Sequence, residues 1–257
     1  MRKLPLCLTI ASLCLSVQAG ERAVALMGRK LRPLPHLSRV PLTEALQWIG
    51  TGLIDDFVDF GVELDPQEAT EPLVDVDFPV EGTFEGDLRW IFRQLPRYEY
   101  AMVSDHLVSV RPRGALADPN DILNTVVKDF DVSGVRAGEI MAWPDRYIEE
   151  LQPAPAHGGK PHMDIVVGPT GTGPEVTIHL EGVTVREVLN AVSIATENSP
   201  DDNELPVGWV FAVQHPSPSV SVPNWRILIA VGGNWRKLQI RDKLRREASA
   251  PGAQPSH

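Results

Sequence analysis

The sequence predicts an α+β protein: two tandem small α/β sandwich units, each ordered strand-helix-strand-strand-helix-strand-strand. Two observations carry this prediction. Residues 77–92 and 177–192 share one pattern, in which an alternating strand ends in Glu-Gly (Glu81-Gly82 and Glu181-Gly182) and an amphipathic helix follows at once. After each helix come two more strand-like runs, 98–102 and 106–111 in the first copy, 207–214 and 225–231 in the second. Self-similarity at a fixed offset is the signature of a duplicated supersecondary unit. Alternation at period two beside helical spacing puts both element types into each copy.

Taken in order, residues 20–38 lack periodicity and hold Pro33 and Pro35, which reads as an extended leader. The first unit spans 39–112. Thr43 is the expected N-cap of a helix carrying Leu46, Ile49, Leu53, Ile54 and Phe57 at helical spacing, with Gly50 and Gly52 weakening its middle. Val62 and Leu64 suggest a short strand. Val74, Val76 and Phe78 alternate with Asp75 and Asp77, the mark of a strand buried on one face. The helix over about 83–94 is expected to bury Leu88, Ile91, Phe92 and Leu95, and two short strands close the unit.

Residues 113–121, proline-bounded, form a linker to the second unit at 122–232. Val127, Phe130 and Val132 make its first strand, and a helix is expected from about Val135, bounded or kinked by Pro144. A long loop at 152–161 leads to a strand at 163–167. Gly168 to Gly173 then turn the chain into the alternating strand 175–180. Thr184 and Glu187 have capping-box spacing for a helix whose Val188, Leu189, Val192 and Ala195 face inward. Leu88 and Val188 are thereby expected to be equivalent core positions. Residues 233–257 form a basic tail, with a short helix mixing Leu238, Ile240 and Leu244 among its basic residues.

The first 19 residues have the layout of a secretory signal. Arg2 and Lys3 precede the apolar stretch 4–17, and Val17-Gln18-Ala19 offers a small-residue cleavage site near Ala19. Leu13 before Cys14 is too bulky for a lipidation signal. Cys7 and Cys14 both leave with this segment, so the mature chain is expected to have neither disulfides nor thiolate ligands. An exported, thiol-free chain fits a bacterial periplasm. Loss of Arg2 and Lys3, with no acid, takes the formal charge from -10 to -12, a poor footprint for nucleic acid. No later apolar run reaches the ~18 residues of a membrane span.

The chemistry-bearing residues favour bland roles. His157 and His162 share a loop without a helical ligand spacing, and His179 alternates with Ile178 and Leu180 onto a polar sheet face. The glycines 168–173 precede a strand, where phosphate binding wants a helix N-terminus. No Gly-x-Ser-x-Gly elbow is present. Asp55, Asp56, Asp59, Glu63, Asp65, Asp75 and Asp77 are numerous, yet a hydrolase needs two carboxylates at a suitable separation in one cleft. Asp201-Asp202-Asn203-Glu204 lacks the spacing of a calcium loop. Trp209 and Trp225 are expected in the core. Trp235 lies among basic residues, a combination enriched at interfaces. No catalytic, cofactor-binding or metal-binding residue is expected.

Three stretches carry a resemblance. Val40-Pro41-Leu42-Thr43-Glu44-Ala45-Leu46, then 74–88, then 176–189, with Gly182-Val183-Thr184-Val185-Arg186-Glu187-Val188-Leu189 the nearest match, are similar to the secretin and TonB short N-terminal domain. The resemblance covers 39–112 well and 122–231 more loosely, because the loops at 152–173 and 197–206 are long for that family. It implies a small α/β sandwich acting as a periplasmic docking or signalling module. In secretins such a domain precedes the outer-membrane ring, and in transducing TonB-dependent receptors it contacts an anti-sigma regulator. No secretin barrel, plug or membrane barrel follows in this sequence. The expected function is accordingly a non-catalytic protein that docks an envelope partner, by strand addition or helix face. Trp235, Arg236, Lys237, Arg241, Lys243, Arg245 and Arg246 are its candidate contact residues. The alternatives are a periplasmic glycan or small-ligand binder using the cleft between units, and an acidic-residue envelope hydrolase.

Overall fold

The computed structural model describes residues 26–31, 36–53, 58–68, 70–77, 82–151, 173–197, 208–214 and 224–230. The signal segment, Ile54, Phe57, Phe78, the loop and strand at 152–172, and the basic tail lie outside them. The architecture is mixed α+β.

The first unit follows the expected order: β1 (Leu37–Pro41), α1 (Leu42–Gly52), β2 (Asp59–Glu63), β3 (Leu73–Val76), α2 (Phe84–Gln94), β4 (Tyr98–Met102) and β5 (Leu107–Pro112). β1 and β3 pair as an antiparallel ribbon, while β5 lies between antiparallel β4 and parallel β2. In α2, Phe84, Leu88 and Ile91 recur at helical spacing on one buried stripe. Thr83 caps that helix by accepting from the Gly86 amide at 3.1 Å.

Two expectations for this unit are corrected. Thr43 is not the N-cap of α1; Pro41 holds that position and offers no side-chain acceptor. The exposed helix donors are instead taken up by the chain entering β3, with Leu42 N–H on the Pro72 carbonyl and Thr43 N–H on the Glu71 carboxylate. The leader is not simply extended. Leu26 and Leu31 are buried in the first core, and Leu31 bridges Leu53 beyond the end of α1. Two isolated leucines carry no period, so pattern reading passed over them.

The second unit comprises β6 (Val126–Arg136), α3 (Ala137–Ala142), α4 (Pro144–Tyr147), β7 (Glu175–Thr184), α5 (Val185–Glu197), β8 (Gly208–Gln214) and β9 (Asn224–Ala230). β6 and β7 form the counterpart of the β1–β3 ribbon. β6 runs past Val135, the expected helix start, because its register shifts between Val132 and Val135 with Gly134 at φ 65°. β7 likewise does not end at Glu-Gly. It continues through Gly182, also at φ 65°, and α5 starts only after Thr184.

That last detail shifts the repeat by one residue. Gly82 is followed directly by the capping Thr83, whereas Val183 intervenes between Gly182 and Thr184. Counted from the first helical residue, the counterpart of Leu88 is Leu189, and Val188 is the counterpart of Asp87. All four side chains are buried.

A single sheet, ordered β4-β5-β2-β8-β9, joins the units through the parallel pair β2–β8. Alternate residues of a strand point to opposite faces. Val210 therefore packs into the first core with Phe60, Val62 and Val110, while Trp209 and Phe211 pack into the second with Phe130 and Leu189. The two cores share one wall. Gly61 is required there, since a Cβ would lie 2.7 Å from the Trp209 indole. Trp209 donates its indole N–H to the Asn190 carbonyl oxygen at 3.2 Å.

Candidate functional site at the junction of the units

β2 carries Glu63 at its end, buried on the face turned toward the second unit. The linker brings Asp121, whose Oδ1 accepts the Leu123 amide at 2.9 Å and caps a short turn at Ile122–Asn124. The helix α5 brings Arg186 in its first turn. The Thr184–Glu187 capping box sets that turn, with the Thr184 amide donating to Glu187 at 2.6 Å and the Glu187 amide to Thr184 Oγ1 at 3.3 Å. Val185 N–H on the Thr125 carbonyl, at 3.0 Å, ties the same turn to the linker.

These elements converge on the Arg186 guanidinium. It donates to Glu63 Oε2 from Nε at 3.1 Å and from Nη2 at 2.8 Å, to Asp121 Oδ2 at 2.6 Å, and to Asn124 Oδ1. The side chains of Arg186, Glu63 and Asp121 are 5%, 4% and 10% exposed, so this is a buried cluster. A cation near a helix N-terminus opposes the macrodipole; the two carboxylates offset that. Burial pushes the Glu63 carboxyl up to about 7, Arg186 opposes the rise, and the charge of Asp121 adds to it. One cation between two buried carboxyl groups favours retention of one proton by the pair.

An open cleft of about 370 Å³ lies beside the cluster, lined among others by Glu63, Asp65, Arg97, Arg113, Asp121 and Phe211. Its polar groups are largely engaged within the protein. Arg97 meets Asp65 at 2.5 Å, and Arg113 donates through Nε to the Pro96 carbonyl at 2.9 Å. The Asn124 amide group bonds the carbonyls of Ala115 and Asp118, both at 2.7 Å. Glu63 and Asp121 both accept from one guanidinium nitrogen, Nη2 of Arg186, at 2.8 and 2.6 Å, so the two carboxyl groups are spent on a shared cation rather than set apart across a substrate as in a glycosidase pair. What this arrangement does chemically is hold β2, the linker and α5 together.

A second buried acid stands apart. Asp87 Oδ1 has no hydrogen-bond partner among the described residues, and burial pushes its carboxyl up to about 6. It lies beneath Gly82, where a Cβ would come within 2.5 Å of that oxygen.

Of the acids singled out in the sequence, Glu63 and Asp65 belong to the junction, and Asp59 is buried within β2. Asp75 is exposed on β3, where the Arg39 amide and then the Ser38 hydroxyl hold its carboxyl below the ordinary range. Asp77 is also exposed, 3.3 Å from His36. His179 is exposed on the β7 ribbon, 3.5 Å from Glu181. No group of three or more metal-ligating side chains occurs among the described residues. Trp209 is buried as expected. Asp55, Asp56, His157, His162, residues 168–172, Asp201 to Glu204 and the contact residues Trp235 to Arg246 lie outside the described residues, and the Trp225 side chain does too.

Sequence reasoning missed Arg186, Asp121 and Asn124. A signal for Arg186 was present: it is a cation at the helix end that disfavours cations, beside the inward stripe of Val185 and Leu189. No protein-family model, curated protein or solved structure matches this chain.

Proposed function

We propose that this chain is an exported, non-catalytic interaction module of the cell envelope, built from two units related to the secretin and TonB short N-terminal domain. It docks an envelope protein by strand addition on the β6–β7 ribbon. The observation that supports this reading best is the ribbon itself. Its strands are 11 and 10 residues long and pair only with each other among the described strands. A long open edge is a template for another strand. On β6 part of that edge is covered, since the Lys128 amide donates to Glu150 at 3.0 Å. Among the described residues nothing pairs with the outer edge of β7, so that edge is taken as the docking edge. The basic residues of the tail supply a second, salt-sensitive contact to the same partner.

No helix among the described residues is long and apolar enough to cross a membrane. An envelope address rests on the signal-like N-terminus, and the mass of the exported protein tests it: a start near Gly20 is expected. Docking is tested by placing a photo-crosslinking residue at Thr177 or His179 on β7 and at Arg89 on α2 as control, in cells. The reading predicts a discrete adduct from the two ribbon sites and none from the control. Absence of adducts, or equal adducts at all three, would rule it out.

A further inference from the structure

We infer that the junction is a proton-controlled latch, in which the linker is held against β2 and α5 when the Glu63–Asp121 pair keeps its proton and is released when that proton is lost. The geometry assigns the moving part. Glu63 is fixed in β2, which is paired on both sides by β5 and β8. Arg186 is fixed on α5, whose Val185, Val188 and Leu189 are packed in the second core. Of the three charged groups, Asp121 is the one carried by neither a strand nor a long helix: the chain before it is held by local bonds such as those from Asn124 to Ala115 and Asp118, and the chain after it by Leu123, buried in the second core.

The charge balance supplies the trigger. With one proton shared, two carboxyl groups and one guanidinium sum to zero. Without it the buried cluster carries one net negative charge, which is costly away from water. The other charged groups around Glu63 do not compensate. Asp65, farther along the same chain segment, adds acid and is occupied by Arg97 at 2.5 Å. Arg111 on β5 is held by Glu99 of β4 at 2.9 Å. Arg113 is spent on the Pro96 carbonyl, and Asp118 at the cleft is another acid. From β8 the cleft receives only the apolar ring of Phe211. Hydration through the adjoining cleft relieves the excess charge, and movement of Asp121 with the linker is the way to admit water.

The sign follows from linkage. Glu63 holds its proton more tightly in the latched state than when hydrated. Opening therefore becomes easier as pH rises from the ordinary glutamate range through neutrality, and the latch is firm below that window.

Hydrogen exchange tests this directly. The amides of Leu123, Asn124, Thr125 and Val185 are bonded at the linker and the start of α5. Their protection factors, corrected for intrinsic rates, should fall about 10- to 100-fold between pH 5 and pH 8, relative to amides of β5. In Glu63→Gln, which keeps a neutral hydrogen-bonding group, that fall should vanish. Should this variant fail to fold, Asp121→Asn at the movable side should flatten the profile in its place. A flat profile in the unaltered protein overturns the latch, and so does an undiminished fall in a folded variant.

Discussion

The helices α2 and α5 occupy the same place in their respective units, yet their second residues have opposite charge. In α2 it is Glu85, favourable to the helix dipole and paired at the surface with Arg89 at 2.7 Å. In α5 it is Arg186, unfavourable to the dipole and buried against Glu63. Two positions later the contrast reverses: Asp87 is a buried acid where α5 has the apolar Val188. Apolar positions such as Leu88 and Leu189, or Ile91 and Val192, are matched in type because each copy must fill its own core. The polar exceptions are what each copy does alone. In α5 the exception locks one unit to the other, and in α2 it is an unpaired cost.

The largest effect to break this contrast should come from Arg186→Leu. Removing the cation leaves two carboxyl groups buried together, a loss of about 3–5 kcal/mol measured by denaturant unfolding at pH 6, where the latch is closed. Alanine at Leu88 or Leu189 should cost about 2–5 kcal/mol each, and the two losses should be comparable if these helices are true counterparts. A near-neutral result for either would break the one-residue correction to the repeat.

Asp87 sharpens the contrast through pH. Its folded carboxyl titrates near 6, above the unfolded value of 3.8. The folded state therefore keeps a proton that the unfolded state releases, and stability should fall as pH rises from about 4 to beyond 6, by about 2–3 kcal/mol. Asp87→Asn should remove that part of the slope, seen by comparing urea unfolding at pH 5 and pH 8. The smallest effect belongs to Glu85→Ala. An exposed i, i+4 pair is worth about 0.3–0.5 kcal/mol, so this variant should unfold almost as the unaltered protein does, in contrast to its counterpart at Arg186.

The order of elements was legible because each is written in local hydrophobic periodicity. α2 with its Thr83 cap and α5 with its Thr184–Glu187 box follow from residues within one helical turn of each other. Element ends were less legible where glycines at positive φ let strands bulge onward, as at Gly134 and Gly182. The junction was not legible. Arg186 and Glu63 are 123 positions apart, and nothing in either local pattern names the other. The parallel pairing of β2 with β8 that brings them together is equally non-local. Glu63 appeared in the sequence only as one acid among many.

A double-mutant cycle between Arg186→Met and Glu63→Gln tests most directly whether the two units are held by their buried ion cluster. Unfolding free energies of the four proteins at pH 6, where the latch is closed, give the coupling between the two side chains. The clasp predicts a coupling of about 2 kcal/mol or more, with the double variant less damaged than the sum of the single losses. Losses that simply add, to within about 0.5 kcal/mol, would contradict it.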